Sequence, residues 1–253
     1  MTICYFTASG NCLYVARRIG GKLLSIPQLM KQDTIEIKDD AVGIVAPVYA
    51  VEMPMMVHDF LEKAKIKTEY FFFIYTYGMG YAEAFTHVGV LAEKSGIDLN
   101  YINAVQMVDN YLPLFDMKEQ IKTLPQKDVE GQLKKIIFDI SVRKSKGVEL
   151  TAAKKENMLM FNRTHAAGIL KKDTALNYYV NKDCIRCGIC AKVCPADNIL
   201  VTEDGVRFLD HCEVCYACLH NCPKHAIHMP VEAGSMQFRN EHISLEDIIK
   251  ANE

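Results

Sequence analysis

The sequence predicts an α/β protein in two parts: a doubly wound parallel sheet, then a small α+β unit organised by cysteine. Three observations point there. Over residues 1–145, short apolar runs alternate with segments whose apolar residues recur at helical spacing, the mark of successive βαβ units. Eight of the ten cysteines fall between Cys184 and Cys222. The stretch that begins at Cys184 repeats 28 residues later, at Cys212.

Ile3–Phe6 reads as the first strand. Leu13, Ala16, Ile19, Gly20 and Leu23 share one face at helical spacing and predict the first helix. Ile35 and Ile37 predict a short second strand. Val42–Ala46 is a continuous apolar run, as expected of a parallel strand buried on both faces. Pro54–Lys65 predicts a helix, Tyr70–Tyr75 a buried strand, Ala82–Lys94 a helix and Tyr101–Val108 a fifth strand. Val129–Arg143 closes the first domain as a helix with Leu133, Ile136, Ile137 and Ile140 on one face. Residues 146–176 form a basic helical connector: between Ser141 and Ala175, eight basic residues face three acidic ones. Residues 177–231 are the cysteine unit. In the tail, 232–253, Ser244-Leu245-Glu246-Asp247 marks a helix N-cap with acids in the first turn.

Composition narrows the function. Half of the residues are hydrophobic, and the net charge of −2 offers no basic excess for nucleic acid. The longest apolar runs, Val42–Val51 and Phe71–Tyr77, fall short of the ~20 residues that span a bilayer. No charged region precedes the short apolar run at Ile3, so no signal peptide is expected and the expected location is cytoplasmic. That location disfavours disulfides and makes metal the better reading of the cysteines.

The cysteines form two runs. Cys184, Cys187 and Cys190 lie three apart, then Cys194 follows four later and Pro195 after it. Cys212, Cys215, Cys218, Cys222 and Pro223 repeat the pattern. This is the spacing of bacterial two-cluster ferredoxins. Two-residue gaps let three sulfurs wrap one cubane, while the fourth cysteine is carried off by the following turn to the other cluster. The expected quartets are therefore Cys184, Cys187, Cys190 and Cys222, and Cys212, Cys215, Cys218 and Cys194. Two zinc sites are the alternative, but zinc ribbons use pairs of cysteines separated by longer loops. Ile199 and Ile227, at equivalent places in the repeat, are expected to cover one cluster each. Cys4 reads as a core thiol, and His211 and His220 as solvated neighbours of the ligands.

Strand 1 runs into Thr7-Ala8-Ser9-Gly10-Asn11-Cys12 and then a helix. Hydroxyls of Thr7 and Ser9, backbone N–H groups and the helix N-terminus are suited to a phosphate, with Gly10 permitting the turn. An ordinary capped strand–helix turn is the alternative. The loop resembles the flavodoxin phosphate loop, which holds FMN. Cys12 stands where that loop usually has a hydroxyl. Two further loops leave strand ends on the same edge: Pro47-Val48-Tyr49-Ala50, and Thr76-Tyr77-Gly78-Met79-Gly80. In a sheet of flavodoxin type, FMN lies at the switch point these loops surround, with Tyr49 and Tyr77 as candidates to flank the isoalloxazine. No G-x-G-x-x-G follows any strand, so no nicotinamide site is expected.

Taken together, the loop, the two cysteine runs and Met107-Val108-Asp109-Asn110-Tyr111 resemble the flavodoxin–ferredoxin fusion family. In that family a flavodoxin-like sheet of order 2-1-3-4-5 precedes a ferredoxin domain with two [4Fe-4S] clusters. Val108 replaces the family's usual proline. The resemblance implies FMN, two clusters, and electron transfer to or from a redox partner protein. A flavin-dependent reductase with its own small-molecule substrate is one alternative. A ferredoxin whose first domain is a flavin-free docking module is another. The two parts differ in charge: residues 177–253 carry seven basic and eleven acidic side chains. Electrostatic docking onto the basic connector is therefore an expectation.

Overall fold

Five parallel strands build the main sheet of the computed structural model, which describes residues 1–253 and all their side chains except those of 161, 164 and 165. They are β1 (Thr2–Tyr5), β2 (Lys22–Ser25), β4 (Ala41–Pro47), β6 (Tyr70–Tyr77) and β7 (Leu99–Gln106), in the order β2-β1-β4-β6-β7. Counted along the chain that is 2-1-3-4-5, the flavodoxin-like doubly wound order. Two short strands, β3 (Glu36–Lys38) and β5 (Lys65–Lys67), pair with each other outside it. The crossovers carry α1 (Asn11–Ile19), α2 (Ile26–Met30), α3 (Met55–Lys63) and α4 (Ala84–Lys94), and α5 (Met117–Thr123) and α6 (Val129–Ser141) follow β7. α1 packs with α6, and α3 with α4. β1 is buried at every position and β4 at all but its ends, as expected of strands covered on both faces.

The second strand is not where the apolar spacing puts it. Gly20 and Gly21 both take positive φ, 86° and 100°, a region that other residues enter at a cost. They stop α1 at Ile19 and turn the chain straight into β2, so Leu23 is a strand residue. Ile37, expected in the sheet, belongs to the β3–β5 pair.

The connector begins with Lys146 bridged to Tyr101 at the sheet edge, followed by α7 (Ala152–Phe161) against α4 and by α8 (Ala167–Ile169). The cysteine unit has two antiparallel pairs, β8 (Tyr179–Val180) with β11 (Ile227–His228), and β9 (Ile199–Thr202) with β10 (Gly205–Phe208). Two single-turn helices, α9 (Ile189–Lys192) and α10 (Ala217–His220), follow the cysteine loops. The tail helix α11 (Leu245–Asn252) starts at a capping box made by Ser244 and Asp247. It packs on both α2 and α9.

The two parts share their interior. Val193, Cys215, Ala217, Ile243, Ile248 and Ala251 lie in the same apolar core as the sheet. Val108, Leu112 and Met117 in turn lie in the core of the cysteine unit. Magnitudes decide what holds the parts together. Fully burying one isoleucine such as Ile248 is worth about 1.5–3 kcal/mol, whereas an exposed ion pair is worth about 0–1. The shared apolar interior is therefore the larger contribution to the union, and ion pairs such as Arg17–Asp247 and Lys31–Asp197 add to it.

Candidate cofactor sites

At the C-terminal ends of β1, β4, β6 and β7 lies a cavity. Of the residues expected to meet there, Thr7, Ser9, Asn11, Cys12, Pro47, Tyr49, Thr76, Tyr77 and Gly78 line it. Gly10 and Gly80 do not. Gly10, at φ 99°, is the cap of α1 and turns towards the tail, where a Cβ would meet Ile243 at 2.9 Å. Ala8, Val48, Val108, Asp109 and Asn110 complete the lining.

The loop fits an anion. Thr7 Oγ1 is buried and has no hydrogen-bond partner among the described residues, a donor left for something in the cavity. Ser9 Oγ accepts from Asn110 Nδ2 at 2.6 Å, so its own proton is free to be donated. The first turn of α1 holds no acid to repel negative charge. Cys12, in place of a hydroxyl, turns its Sγ to Thr76 Oγ1 at 3.1 Å. Burial pushes its thiol up to about 12, so it stays neutral and braces the loop against β6.

Two aromatic loops make the walls. Tyr49 packs edge-on to Phe6, with centroids 6.3 Å apart. It opens a tight turn in which Tyr49 and Glu52 exchange both backbone hydrogen bonds at 2.9 Å. The turn residues Ala50 and Val51 both have positive φ, 49° and 62°, without being glycine. Such geometry costs on the order of 1–3 kcal/mol per residue and persists only where the surroundings enforce it. Here Glu52 is 4 % exposed and its carboxylate pairs with His87 of α4. On the other side Tyr77 meets Tyr81 edge-to-face. At Gly78 a Cβ would stand 2.1 Å from Asp109 Cβ, so only glycine lets these loops close. Asp109 accepts from Met79 N at 3.1 Å and Tyr111 N at 3.2 Å, and burial raises its pKa.

The eight cysteines of the two runs divide between two further cavities. Cys184, Cys187, Cys190 and Cys222 line one, with Ile227 in its wall. Cys194, Cys212, Cys215 and Cys218 line the other, with Ile199. The fourth cysteine of each run thus lies with the first three of the other. All eight are free thiols. Among the described residues no three His, Cys, Asp or Glu side chains close as tightly as a single ion requires. Each quartet instead rings a space that suits a larger soft-metal cluster. Backbone N–H groups of Val214, Asn198 and Ala226 donate to the sulfurs of Cys212, Cys194 and Cys222 at 3.2–3.3 Å, which favours thiolate. Burial, with the neighbouring cysteine sulfurs adding to it, pushes Cys190 and Cys212 up to about 11, so thiolates there depend on positive charge beside them. Cys187 is exposed, while Cys215 and Cys218 are buried, which makes one site outer and the other inner.

The inner quartet adjoins the strand-end cavity. Burial raises the Tyr49 phenol well above its usual pKa, and the Cys215 sulfur adds to that shift. Tyr216 packs on Tyr111, centroids 5.9 Å apart, just beyond the lining residue Asn110. His220, expected to be solvated, is 2 % exposed. Its Nε2 donates to Asn110 O at 3.0 Å and its Nδ1 accepts from Phe238 N at 3.2 Å.

Residues 176–223 match the family model described as a 4Fe-4S dicluster domain. Curated relatives cover the same part of the chain. The polyferredoxin protein MvhB of Methanothermus fervidus is 39 % identical over 72 residues, 28 % of this chain and 15 % of that protein. A ferredoxin-like protein in the nif region of Trichormus variabilis is 30 % identical over 67 residues, 26 % of this chain and 58 % of that protein. The chain therefore spans less than two thirds of the curated relatives it matches. Among solved structures, a putative flavoprotein from Bacteroides uniformis is 12 % identical, with 48 % of this chain and 95 % of that one aligned at a TM-score of 0.33. A flavodoxin from the domain Archaea is 14 % identical over 53 % of this chain and 97 % of that one, with a TM-score of 0.30. A flavodoxin-like sheet and a dicluster domain in one chain is the organisation of the fusion family the sequence resembles. No helix is long and apolar enough to cross a membrane among the described residues.

Proposed function

We propose that this chain is an electron-transfer protein in which FMN at the strand-end cavity exchanges electrons with two [4Fe-4S] clusters, on behalf of a redox partner protein. The observation that carries the reading is proximity: Ala8 and Asn110, which line the strand-end cavity, accept hydrogen bonds from Asn221 and His220, which follow Cys218 in the chain. Flavin handles two electrons or one and each cubane one, so together they join the two kinds of redox chemistry.

The chain's own part is to hold and orient. The hydroxyls of Thr7 and Ser9 and the N–H groups at the start of α1 are the phosphate donors. Tyr49 and Tyr77 flank the ring, with Tyr49 a neutral phenol. Cys194, Cys212, Cys215 and Cys218 hold the inner cluster. Cys184, Cys187, Cys190 and Cys222 hold the outer one, whose exposed Cys187 marks the edge facing the partner.

The test is anaerobic purification followed by rapid partial reduction. The expected result is flavin absorbance beside broad iron–sulfur absorbance, then flavin-to-cluster equilibration at a rate independent of protein concentration. Absence of bound or bindable FMN, or a rate that scales with concentration, overturns the reading.

A further inference from the structure

Two buried asparagines tie the strand-1 loop to the turns that carry the inner cysteines. Asn221, 3 % exposed, donates through Nδ2 to Ala8 O at 3.3 Å and to Ala217 O at 2.9 Å. Asn252, 0 % exposed, donates through Nδ2 to Thr7 O at 3.5 Å and to Val193 O at 3.0 Å. Ala217 immediately precedes Cys218, and Val193 immediately precedes Cys194. Both cysteines line the inner cavity. Each amide therefore joins one carbonyl of the loop to one carbonyl of an inner-quartet turn.

The direction of these bonds matters. A loop that receives an anion points N–H groups into the cavity and its carbonyls away. The carbonyls of Thr7, Ala8 and Ser9 all point away, and the last is taken by Asn240 N at 2.8 Å. All three partners come from the last third of the chain. Opening the turn at Cys194 or Cys218 withdraws a partner from a loop carbonyl and frees the loop to rotate its N–H groups out of the cavity.

We propose that cluster retention at the inner quartet and anion binding at the strand-1 loop are coupled, with Asn221 and Asn252 as the positioning residues that couple them. The inference rests on the reading that the loop takes the FMN phosphate and the quartet a cluster. A ligand that binds only the closed loop lowers the population of opened turns, and by linkage the closed turns tighten the ligand.

The experiment measures cluster loss from the purified protein. Flavin is removed by dialysis under anaerobic conditions. Loss of iron–sulfur absorbance to an iron chelator is then followed with no ligand, with saturating FMN and with inorganic phosphate. The expected result for the unaltered protein is loss slowed by at least about five-fold with FMN, the low end of typical site–site coupling, and slowed less, in the same direction, with phosphate. In Asn221→Asp and Asn252→Asp, which keep the shape but lose the donor, both cofactors are expected to bind while the protection falls towards one-fold. Asn240→Ala keeps the backbone bond to Ser9 O but loses the side-chain bonds to Asn11 Oδ1 and from His242 N, neither of which reaches an inner-quartet turn, and it is expected to weaken FMN binding yet keep the protection at saturation. Equal loss with and without FMN, when titration shows FMN bound, overturns the coupling alone. If FMN does not bind the unaltered protein, the functional reading falls and the coupling with it. Loss of protection in Asn240→Ala as well would assign the effect to general loosening and overturn the role of the two bridges. The comparison in the unaltered protein decides the matter even if neither aspartate variant folds.

Discussion

Thr7→Val removes one oxygen from the molecule and should move two measurements in opposite directions. Thr7 Oγ1 is buried with no partner among the described residues, so the flavin-free protein carries the cost of an unsatisfied hydroxyl. That cost is about 1–3 kcal/mol, and valine has nearly the same shape without it. Flavin-free Thr7→Val should therefore be more stable, by about 1 kcal/mol once imperfect packing of the added methyl is allowed for. For a chain of this size that is a rise of about 2–4 °C in the midpoint of thermal unfolding. Against FMN the sign reverses. A hydrogen bond to a charged group contributes about 1.5–3 kcal/mol, so affinity should fall about 10- to 150-fold. The assays are thermal unfolding of flavin-free protein and titration of flavin fluorescence. A variant that is less stable, or whose FMN affinity stays within about two-fold, refutes the placing of phosphate at this hydroxyl.

Three further predictions concern other parts of the molecule. Cys194→Ala should damage the cluster of Cys212, Cys215 and Cys218 and spare the other, read by Mössbauer or EPR spectra with iron and sulfide counts; two intact cubanes would contradict the quartets. Asp247→Asn should destabilise by about 1–2 kcal/mol at neutral pH, from the loss of the capping box and of an Arg17 pair that is discounted for exposure. The Arg17 guanidinium, then the Ser244 bonds, hold the Asp247 carboxyl well below its usual pKa. Its contribution is therefore full above the unfolded value of about 3.9 and is lost as pH falls through the lower folded value, so the gap between variant and parent in denaturant midpoint should close in acid. Finally, because the two parts share an apolar interior, intramolecular flavin-to-cluster transfer should change little from low to high salt; a strong salt dependence would restore the electrostatic picture.

Three cysteines of each quartet were legible because a three-residue step is a local property, whereas the crossing of Cys194 and Cys222 is long-range and is read only from the two-cluster ferredoxin pattern. The strand-1 loop was legible for the same local reason. The second strand was not, since Leu23 continues the helical spacing of α1 and only the Gly20-Gly21 pair signals the break. Asp109 escaped notice as a wall residue because its role depends on Gly78 lying against it, a contact between loops that no spacing encodes. Asn221, Asn240 and Asn252 are single polar residues in unlike contexts, and their meaning arises only where the chain returns to its start. His220 was taken for a solvated neighbour of the ligands because nothing in its surroundings in sequence reveals that Asn110 and Phe238 enclose it.

The bond from Asn252 to Thr7 spans 245 residues of chain. At a ribosomal pace of ~5–20 residues per second, the two ends of that bond are made roughly 12–50 s apart. β1 and β4 need nothing beyond residue 45 to set their register, so the sheet has its centre early. The loop between β1 and α1 waits, its outward carbonyls without these partners, until Asn221, Asn240 and lastly Asn252 of α11 arrive. A growing chain therefore owns a sheet long before it owns a complete strand-end pocket.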